Sequence, residues 1–230
     1  RVLERAGADD QRVKLWTSEA TRRRDPRARA RCLGRAATLA EAAGDAPRAI
    51  ELHRAALVAA PADEGALDAL DRLLRVSSTG LVPKDEARAK IALHRHAAEH
   101  APDDERRVAH LEVVALLEEE ALGEPGLAAM TYRQVLRLAP TRVAAWIGLA
   151  RAAQRSGDVG GAAEALLKEA ELPGANARRA TLTVRAASLL STVDVDRAVA
   201  LLDGVLERDS SHREARLARR RLYESGGRWQ

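Results

Sequence analysis

Apolar side chains recur three or four positions apart along most of the chain, which is the spacing of one face of an α-helix. Two stretches that show the pattern are Leu33, Ala36, Ala37 and Ala40, and Trp146, Leu149, Ala150 and Ala153. Short pairs interrupt it at Gly44-Asp45, Gly123-Glu124, Gly157-Asp158 and, more loosely, Val193-Asp194. Glycine favours the end of one helix and an acidic residue the start of the next, so these pairs predict turns between antiparallel helices.

Prolines close the second helix of each predicted hairpin, since proline cannot continue a helix without losing a hydrogen bond. They are Pro26, Pro61, Pro102, Pro140 and Pro173, which lie 33 to 41 residues apart, and Ser210 follows in the same context. Small residues open the second helices at Ala49, Ala128, Ala162 and Ala198, and larger ones follow at His53, Tyr132, Leu166 and Leu202. A repeat of this length is typical of stacked helical hairpins.

The phase of the repeat predicts a helix map. A helix stub is expected at 1–7 and a helix at 10–24. Hairpins are expected at 28–43/46–60, 63–76/84–101, 103–122/125–139, 142–156/159–172 and 175–192/195–209, with a last helix at 211–225. An insertion around 77–85 and a turn at 226–230 interrupt the pattern.

Three units carry a resemblance to a known family: 30–61, 109–140 and 143–173. The residues that match are Ala36, Ala37, Ala49, Ala56 and Pro61, then Tyr132, Val135 and Pro140, and then Trp146, Leu149 and Ala150. The sequence resembles the tetratricopeptide repeat (TPR) family. The resemblance implies an all-α fold, a right-handed α-α superhelix (solenoid) of about five to six stacked TPR-like helical hairpins.

The same resemblance implies a division of the chain into repeats. Residues 1–27 would be a partial repeat, the second helix of a preceding hairpin. Five TPR-like hairpins would follow at 28–61, 62–102, 103–140, 141–173 and 174–210, and 211–230 would be the first helix of a further or capping repeat. Because the chain begins at Arg1 and both ends interrupt the repeat, we expect a fragment of a longer array.

The amino-acid composition supports the all-α prediction and indicates how closely the helices interlock. The 230 residues are 46% hydrophobic and only 2% aromatic, with no Phe, and alanine supplies about a fifth of them. Strands favour β-branched and aromatic residues, so the composition does not favour a β-sandwich or barrel. The apolar content and the small net charge do not favour disorder either. With few Tyr and no Phe in the packing columns, we expect helices that interlock less deeply, and a softer solenoid.

The net charge and the cysteine content bear on which partners the chain binds and on the cellular compartment in which it works. The net charge is +4, and arginines cluster at Arg22–Arg24 and Arg219–Arg221. Consecutive helical residues point in different directions, so neither cluster forms a basic stripe, and nucleic-acid binding is not favoured. No apolar run approaches the roughly 20 residues that span a bilayer, so no membrane insertion is expected. Compartment is not fixed by the sequence, although the single cysteine favours the cytoplasm slightly.

Candidate catalytic and metal-binding residues are few, and each has a structural explanation. His96 and His100 share one helix face, but they lack the third ligand of a helical zinc motif, so a solvated or partly packed surface is favoured. Cys32, among small residues, is interpreted as a packed thiol. The run Glu118–Glu120 is interpreted as a solvated face. No catalytic, cofactor or metal site is predicted, and the chain is expected not to be an enzyme.

The resemblance also implies a binding surface, because the first helices of TPR hairpins line a concave groove that accepts peptides or partner helices. The matching positions are Arg31, Arg35, Thr38, Asp68, Arg72, His110, Val113, Val114, Leu117, Ile147, Arg151 and Thr183, with the alanines 144 and 187. No Lys or Asn stands among them, so the family's carboxylate clamp for chaperone tails is not expected. The apolar middle predicts an amphipathic helix or extended apolar segment as ligand. The alternative is that these side chains pack against a neighbouring hairpin.

Together these features predict a non-enzymatic TPR scaffold or adaptor segment that binds partner protein segments in its groove. The alternative that stays open is a regulatory or sensor TPR segment of a larger enzyme or transcription regulator. Fold does not decide between them.

Overall fold

The computed structural model describes residues 2–74 and 84–225 of the chain. Every regular element within those ranges is a helix. They are α1 (Val2–Arg22), α2 (Pro26–Ala42), α3 (Ala46–Ala59), α4 (Glu64–Leu73), α5 (Lys84–Glu99), α6 (Asp104–Glu120), α7 (Pro125–Leu138), α8 (Val143–Ser156), α9 (Val159–Glu171), α10 (Arg179–Leu190), α11 (Val195–Arg208) and α12 (Arg213–Ser225).

The chain forms two compact units, residues 1–110 and 111–230, and the division falls within α6. In the first unit, α1 packs on α2, α2 on α3, α3 on α4 and α4 on α5. In the second, each helix from α7 to α11 packs on the next along the chain. Helices thus pack in consecutive pairs, which confirms the predicted all-α fold of packed helical hairpins.

The predicted Gly-Asp turns are present and have the expected geometry. Gly157 ends α8 in the left-handed conformation with φ of 84°, which glycine adopts without steric cost. Asp158 then begins α9, and its carboxylate accepts a hydrogen bond of 2.8 Å from the Gly161 N–H. The turn between α2 and α3 is built the same way, because Gly44 has φ of 80° and Asp45 accepts from the Arg48 N–H. Each turn satisfies backbone groups that a helix end would otherwise leave unpaired.

The predicted small-residue positions lie where helices meet. Ala36, Ala37, Ala49 and Ala56 are completely buried in the first unit. His53, which stands in a bulky packing position, is also buried, and its Nε2 lies 2.9 Å from Glu41 Oε1. His53 is therefore a packed core histidine.

The second unit shows how one of the few aromatic side chains is accommodated. Tyr132 of α7 is buried against α8. A Cβ atom added at Gly148 of α8 would lie 2.3 Å from the Tyr132 ring. The absence of a side chain at position 148 therefore makes room for the tyrosine.

Two predicted helix boundaries are wrong. A stub at 1–7 followed by a second helix was expected, but α1 is continuous. Asp10 forms ion pairs of 2.7 Å with Lys14, one turn later, and 2.8 Å with Arg48 of α3, so its charge supports the middle of a helix rather than the start of one. In the fifth hairpin α10 begins at Arg179 instead of 175, because Gly174 has φ of 88° and turns follow it.

The predicted insertion around 77–85 lies mostly outside the described residues, and the predicted turn at 226–230 lies outside them entirely.

Candidate protein-binding surface

The twelve predicted groove residues lie on five helices, α2, α4, α6, α8 and α10. Their exposure differs: Arg31, Arg35, Thr38, Asp68, Arg72, Val113, Ile147 and Arg151 are exposed, His110, Leu117 and Thr183 are half-buried, and Val114 is buried. Residues up to His110 belong to the first unit and the others to the second.

On α2, two of the three predicted residues make contacts within the first unit. The Arg35 guanidinium lies 4.7 Å from the centre of the Trp16 ring, a cation–π distance. Thr38 Oγ1 donates a 3.0 Å hydrogen bond to the Gly34 carbonyl of its own helix. Arg31 is exposed to solvent. This part of the surface is polar, and Arg35 is held against α1.

On α4, Arg72 is joined to a half-buried carboxylate of α2, that of Glu41. Its guanidinium donates to Glu41 Oε2, while His53 contacts the other oxygen of the same carboxylate. Burial alone would raise the pKa of Glu41, but hydrogen bonds from Arg72 and His53 outweigh it and lower that pKa below its ordinary value. Arg72 therefore stabilises the packing of α2, α3 and α4 in addition to being exposed.

His110 forms a pair with His94 of α5. The two Nδ1 atoms lie 3.1 Å apart, so one ring must donate and the other accept. Burial lowers the pKa of both imidazoles. Asp71 lies near this pair, with its Oδ1 3.5 Å from His94 Nε2 and 3.5 Å from the buried Lys90 Nζ. The sequence pattern did not place His94 beside His110.

In the second unit, Val113 and Ile147 expose 37% and 42% of their surfaces on α6 and α8. Leu117, one helical turn after Val113, is half-buried. We call these three residues the apolar patch. Val114 is completely buried, so its assignment to the groove is wrong; adjacent positions on a helix face different directions, and this side chain lies in the core. Two of four predicted apolar groove residues are thus freely exposed.

Charged pairs join the helices that carry the apolar patch. Arg142, at the start of α8, donates two hydrogen bonds of 2.8 and 2.7 Å to the Glu112 carboxylate. Further along α8, Arg151 donates two of 2.7 Å to the Glu119 carboxylate, and Arg155 adds a third of 3.1 Å. Bidentate geometry fixes both the distance and the orientation of the partners. These pairs therefore hold α6 and α8 in register beside the patch.

The run Glu118–Glu120 is not a solvated face, and that interpretation was wrong. Glu118 and Glu119 are buried, and only Glu120 is exposed. Glu118 accepts a 2.7 Å hydrogen bond from Thr131 of α7. Burial alone would raise the pKa of Glu119, but Arg151 and Arg155 outweigh it and lower that pKa below its ordinary value. Arg151 and Arg155 of α8, four residues apart, are the side chains that bind Glu119. Their spacing is the feature of the sequence that could have indicated a buried partner for the glutamates.

Thr183, the last predicted residue, lines an open cleft of about 760 Å³ between α9, α10 and α11. Its Oγ1 donates to the Arg179 carbonyl at 2.9 Å. Arg179, which also lines the cleft, donates to the Ala170 carbonyl and to Asn176 Oδ1, so this charged side chain is already hydrogen-bonded within the protein. The structure does not bring Thr183 into the apolar patch by any described contact.

The arginine clusters also have local partners. Arg23 pairs with Glu19 at 2.5 Å, and Arg219 pairs with Asp203 at 2.7 Å. Arg220 lies 3.3 Å from Glu224. Several of the arginine charges thus face carboxylates of the chain itself.

Two further features bear on the function class. Cys32 is buried, as predicted for a packed thiol. Across the described ranges, no helix is both long enough and apolar enough to cross a membrane.

No protein-family model matches the chain, and no curated protein matches it. Among solved structures, the chain is similar to YrrB, described as a TPR protein with an unusual peptide-binding site, at 14% identity over 82% of this chain and 91% of that one, with a TM-score of 0.45. It is also similar to PilF of Pseudomonas aeruginosa at 17% identity, over 93% of this chain and 97% of PilF, with a TM-score of 0.42. The similarity to TTC0263, a thermophilic TPR protein of Thermus thermophilus, has 17% identity over 85% of this chain and 99% of TTC0263, with a TM-score of 0.36.

Proposed function

We propose that this chain is a non-enzymatic repeat scaffold that binds a segment of a partner protein at the apolar patch. The observation that carries the proposal is the exposure of Val113 and Ile147 at corresponding positions of successive first helices, beside the half-buried Leu117. Arg142 and Arg151 of α8 bind Glu112 and Glu119 of α6, so we infer that the apolar side chains of these two helices form one surface. Apolar surfaces that are bordered by polar residues mark interaction sites in many proteins.

The contrast with Val114 supports a binding role over a packing role. Val114 is completely buried on the same helix, so α6 already presents an apolar side chain to the core. Val113 and Ile147 retain more than a third of their surface exposed. Their exposed surface therefore remains available for a partner to cover.

The border of the patch indicates which kind of segment fits. Glu112 and Glu119 are already bonded to Arg142 and Arg151, so the charges beside the patch are largely satisfied within the protein. A ligand therefore gains most from apolar contact. An amphipathic helix with apolar residues three or four apart, or an extended apolar segment, would supply it.

The test compares two double variants in a pull-down of the full chain with identification of bound proteins. Val113→Asp with Ile147→Asp places two charges in the patch. Leu127→Asp with Met130→Asp places two on exposed apolar positions of α7 and is the matched control. Covering each patch residue is worth on the order of 1 kcal/mol, so the first variant should weaken the partner at least roughly tenfold. The control should bind as the wild type does.

Thermal melting distinguishes binding from folding. Because Val113 and Ile147 are partly exposed, their double variant should melt within a few degrees of the wild type. Leu117→Asp reports on the half-buried position and is expected to lower the melting temperature more. A patch variant that unfolds, or one that keeps its partner as well as the control does, contradicts the proposal.

A further inference from the structure

The end of α5 and the residue after it gather three potential metal ligands. His96, Glu99 and His100 are three and four positions apart, so they share one face of a helical turn. One ligand atom from each lies within 4.8 Å of the other two. The two imidazole rings are 4.4 Å apart, centre to centre. Glu99 supplies the third ligand that the sequence pattern alone did not identify.

The hydrogen bond of His100 fixes the form of its ring. His100 Nδ1 lies 2.9 Å from the His96 carbonyl oxygen, which can only accept. In the neutral ring Nδ1 therefore carries the proton, and Nε2 carries the lone pair that a metal needs. A histidine that donates its other ring N–H to a backbone carbonyl is the usual arrangement in metal sites, because the hydrogen bond orients the ring.

His96 is not committed to another partner at its Nε2. That atom is buried and makes no hydrogen bond within the described residues. No hydrogen bond at this nitrogen therefore has to be broken before the ring can bind a metal.

From these three side chains we propose that His96, Glu99 and His100 bind one divalent transition-metal ion, of the class represented by Zn²⁺ and Cu²⁺. Two imidazoles and one carboxylate suit these ions, whereas Mg²⁺ and Ca²⁺ prefer oxygen ligands alone. Zinc takes four ligands as a rule, so water would complete the coordination. The site uses no residue of the apolar patch and does not depend on the proposed function.

One other imidazole pair competes with this assignment. His94 and His110 lie on α5 and α6 of the same unit, with their Nδ1 atoms 3.1 Å apart. Those two nitrogens share a hydrogen bond, and His94 Nε2 lies 3.5 Å from Asp71 Oδ1. A metal would have to break the existing contact between the rings, so the His96–His100 pair is the favoured site.

The experiment is isothermal titration of Zn²⁺ into the full chain at pH 7.5, after removal of metals with EDTA, in a buffer that does not chelate. One Zn²⁺ per chain is expected. His100→Gln and His96→Gln should each weaken binding at least tenfold, and Glu99→Gln should weaken it by less. Glu105→Gln changes an exposed carboxylate on α6 and is the control that should leave affinity unchanged. Circular dichroism establishes that each variant is folded.

Two results would overturn the site: no saturable Zn²⁺ binding to the wild type, or full affinity in His100→Gln. If His94→Gln loses binding while His100→Gln keeps it, the metal belongs to the His94–His110 pair instead. Two further results would support it. Mg²⁺ should give no heat beyond dilution. Zn²⁺ affinity should fall at acid pH, because protons compete for the imidazole lone pairs.

Discussion

Glu119 shows how a single buried charge contributes to the junction between α6 and α8. Removing a carboxylate from water is costly unless its oxygens are hydrogen-bonded and its charge is paired. Arg151 and Arg155 supply both, and they keep the pKa of Glu119 below its ordinary value of 4.5 although burial opposes this. Because the folded pKa is lowered, this contribution to stability is complete above pH 4.5 and is lost as the pH falls through the folded pKa.

Removing Arg151 should therefore be more harmful than removing a surface arginine. Arg151→Ala leaves Glu119 buried with only Arg155, and we expect it to lower the free energy of unfolding by roughly 2–3 kcal/mol. Arg133→Ala is the matched control, because Arg133 pairs with Asp158 where both side chains are nearly half exposed, and it should cost less than about 1 kcal/mol. Urea unfolding at pH 7 measures both. Equal losses would contradict the role assigned to Glu119.

The pair of His94 and His110 gives the first unit a dependence on pH. Burial lowers the pKa of both rings, although Asp71 and Asp68 act in the opposite direction. Lys90 adds to the lowering at His94, and Arg106 adds to it at His110. The unfolded chain therefore takes up protons at a higher pH than the folded chain does.

We expect stability to be complete above pH 6.5, the ordinary value for these histidines, and to fall as the pH drops below it. His94→Gln removes one buried titrating ring, so the variant should lose less stability than the wild type between pH 7.5 and 5.5. Urea unfolding in EDTA measures the difference at each pH. His100→Gln, on an exposed ring, is the control and should follow the wild type. A wild type as stable at pH 5.5 as at 7.5 would refute the assignment.

At the scale of helices, the sequence predicts where elements occur better than where they begin. Gly-Asp pairs and prolines locate the turns, because a helix end needs specific backbone chemistry that few residues supply. The predicted beginning of α10 is wrong because Gly174 adopts a positive φ and is followed by turns, so the helix begins only at Arg179. Asp10, in the middle of the continuous α1, pairs with Lys14 one turn later and with Arg48 of α3, and the second of these is a tertiary contact that local pattern does not encode.

The candidate surface could be predicted only as far as the helices that carry it. Val113 and Val114 are the same residue type at adjacent positions, and one is exposed while the other is buried. A phase error of one residue, about 100° around a helix, exchanges them. Glu119 was assigned to solvent for a related reason, because its burial depends on arginines of another repeat.

The contact between α7 and α8 leads to a prediction about glycine. A Cβ at position 148 would meet three atoms of the Tyr132 ring at 2.3 to 2.8 Å. Gly148→Ala should therefore destabilise the protein by about 1–3 kcal/mol through overpacking, despite the better helix propensity of alanine. Gly34→Ala, where a Cβ meets nothing within 4 Å, should instead stabilise it by about 0.4–1 kcal/mol. Thermal and urea unfolding measure both.

A second substitution tests whether the tyrosine causes the effect. In the Tyr132→Leu background, Gly148→Ala should cost less than it does in the wild type, because the ring that it meets is gone. Equal costs in the two backgrounds would place the strain elsewhere.

At the scale of the whole molecule, alanine-rich packing brings the helices of each unit, α1 to α5 and α7 to α12, close to their neighbours along the chain. In the second unit the described contacts between helices from α7 to α12 join elements that are adjacent in sequence, with one smaller contact between α10 and α12. In arrays of this kind stability is close to a sum of terms for each repeat and for each junction with the next. With few aromatic side chains to span longer distances, we expect damage in this unit to stay local.

Two matched Leu→Ala substitutions test this at opposite ends of the second unit. Leu202 of α11 and Leu136 of α7 are both buried, and each loss should cost about 2–5 kcal/mol. Leu202→Ala should lower hydrogen-exchange protection in α10, α11 and α12 and preserve it in α7, whereas Leu136→Ala should lower it in α7 and α8 and preserve it in α12. The measurement is native-state exchange followed by mass spectrometry of peptides from each helix. A uniform loss of protection across α7–α12 in either variant would show that the unit unfolds as one cooperative body and would refute the nearest-neighbour description.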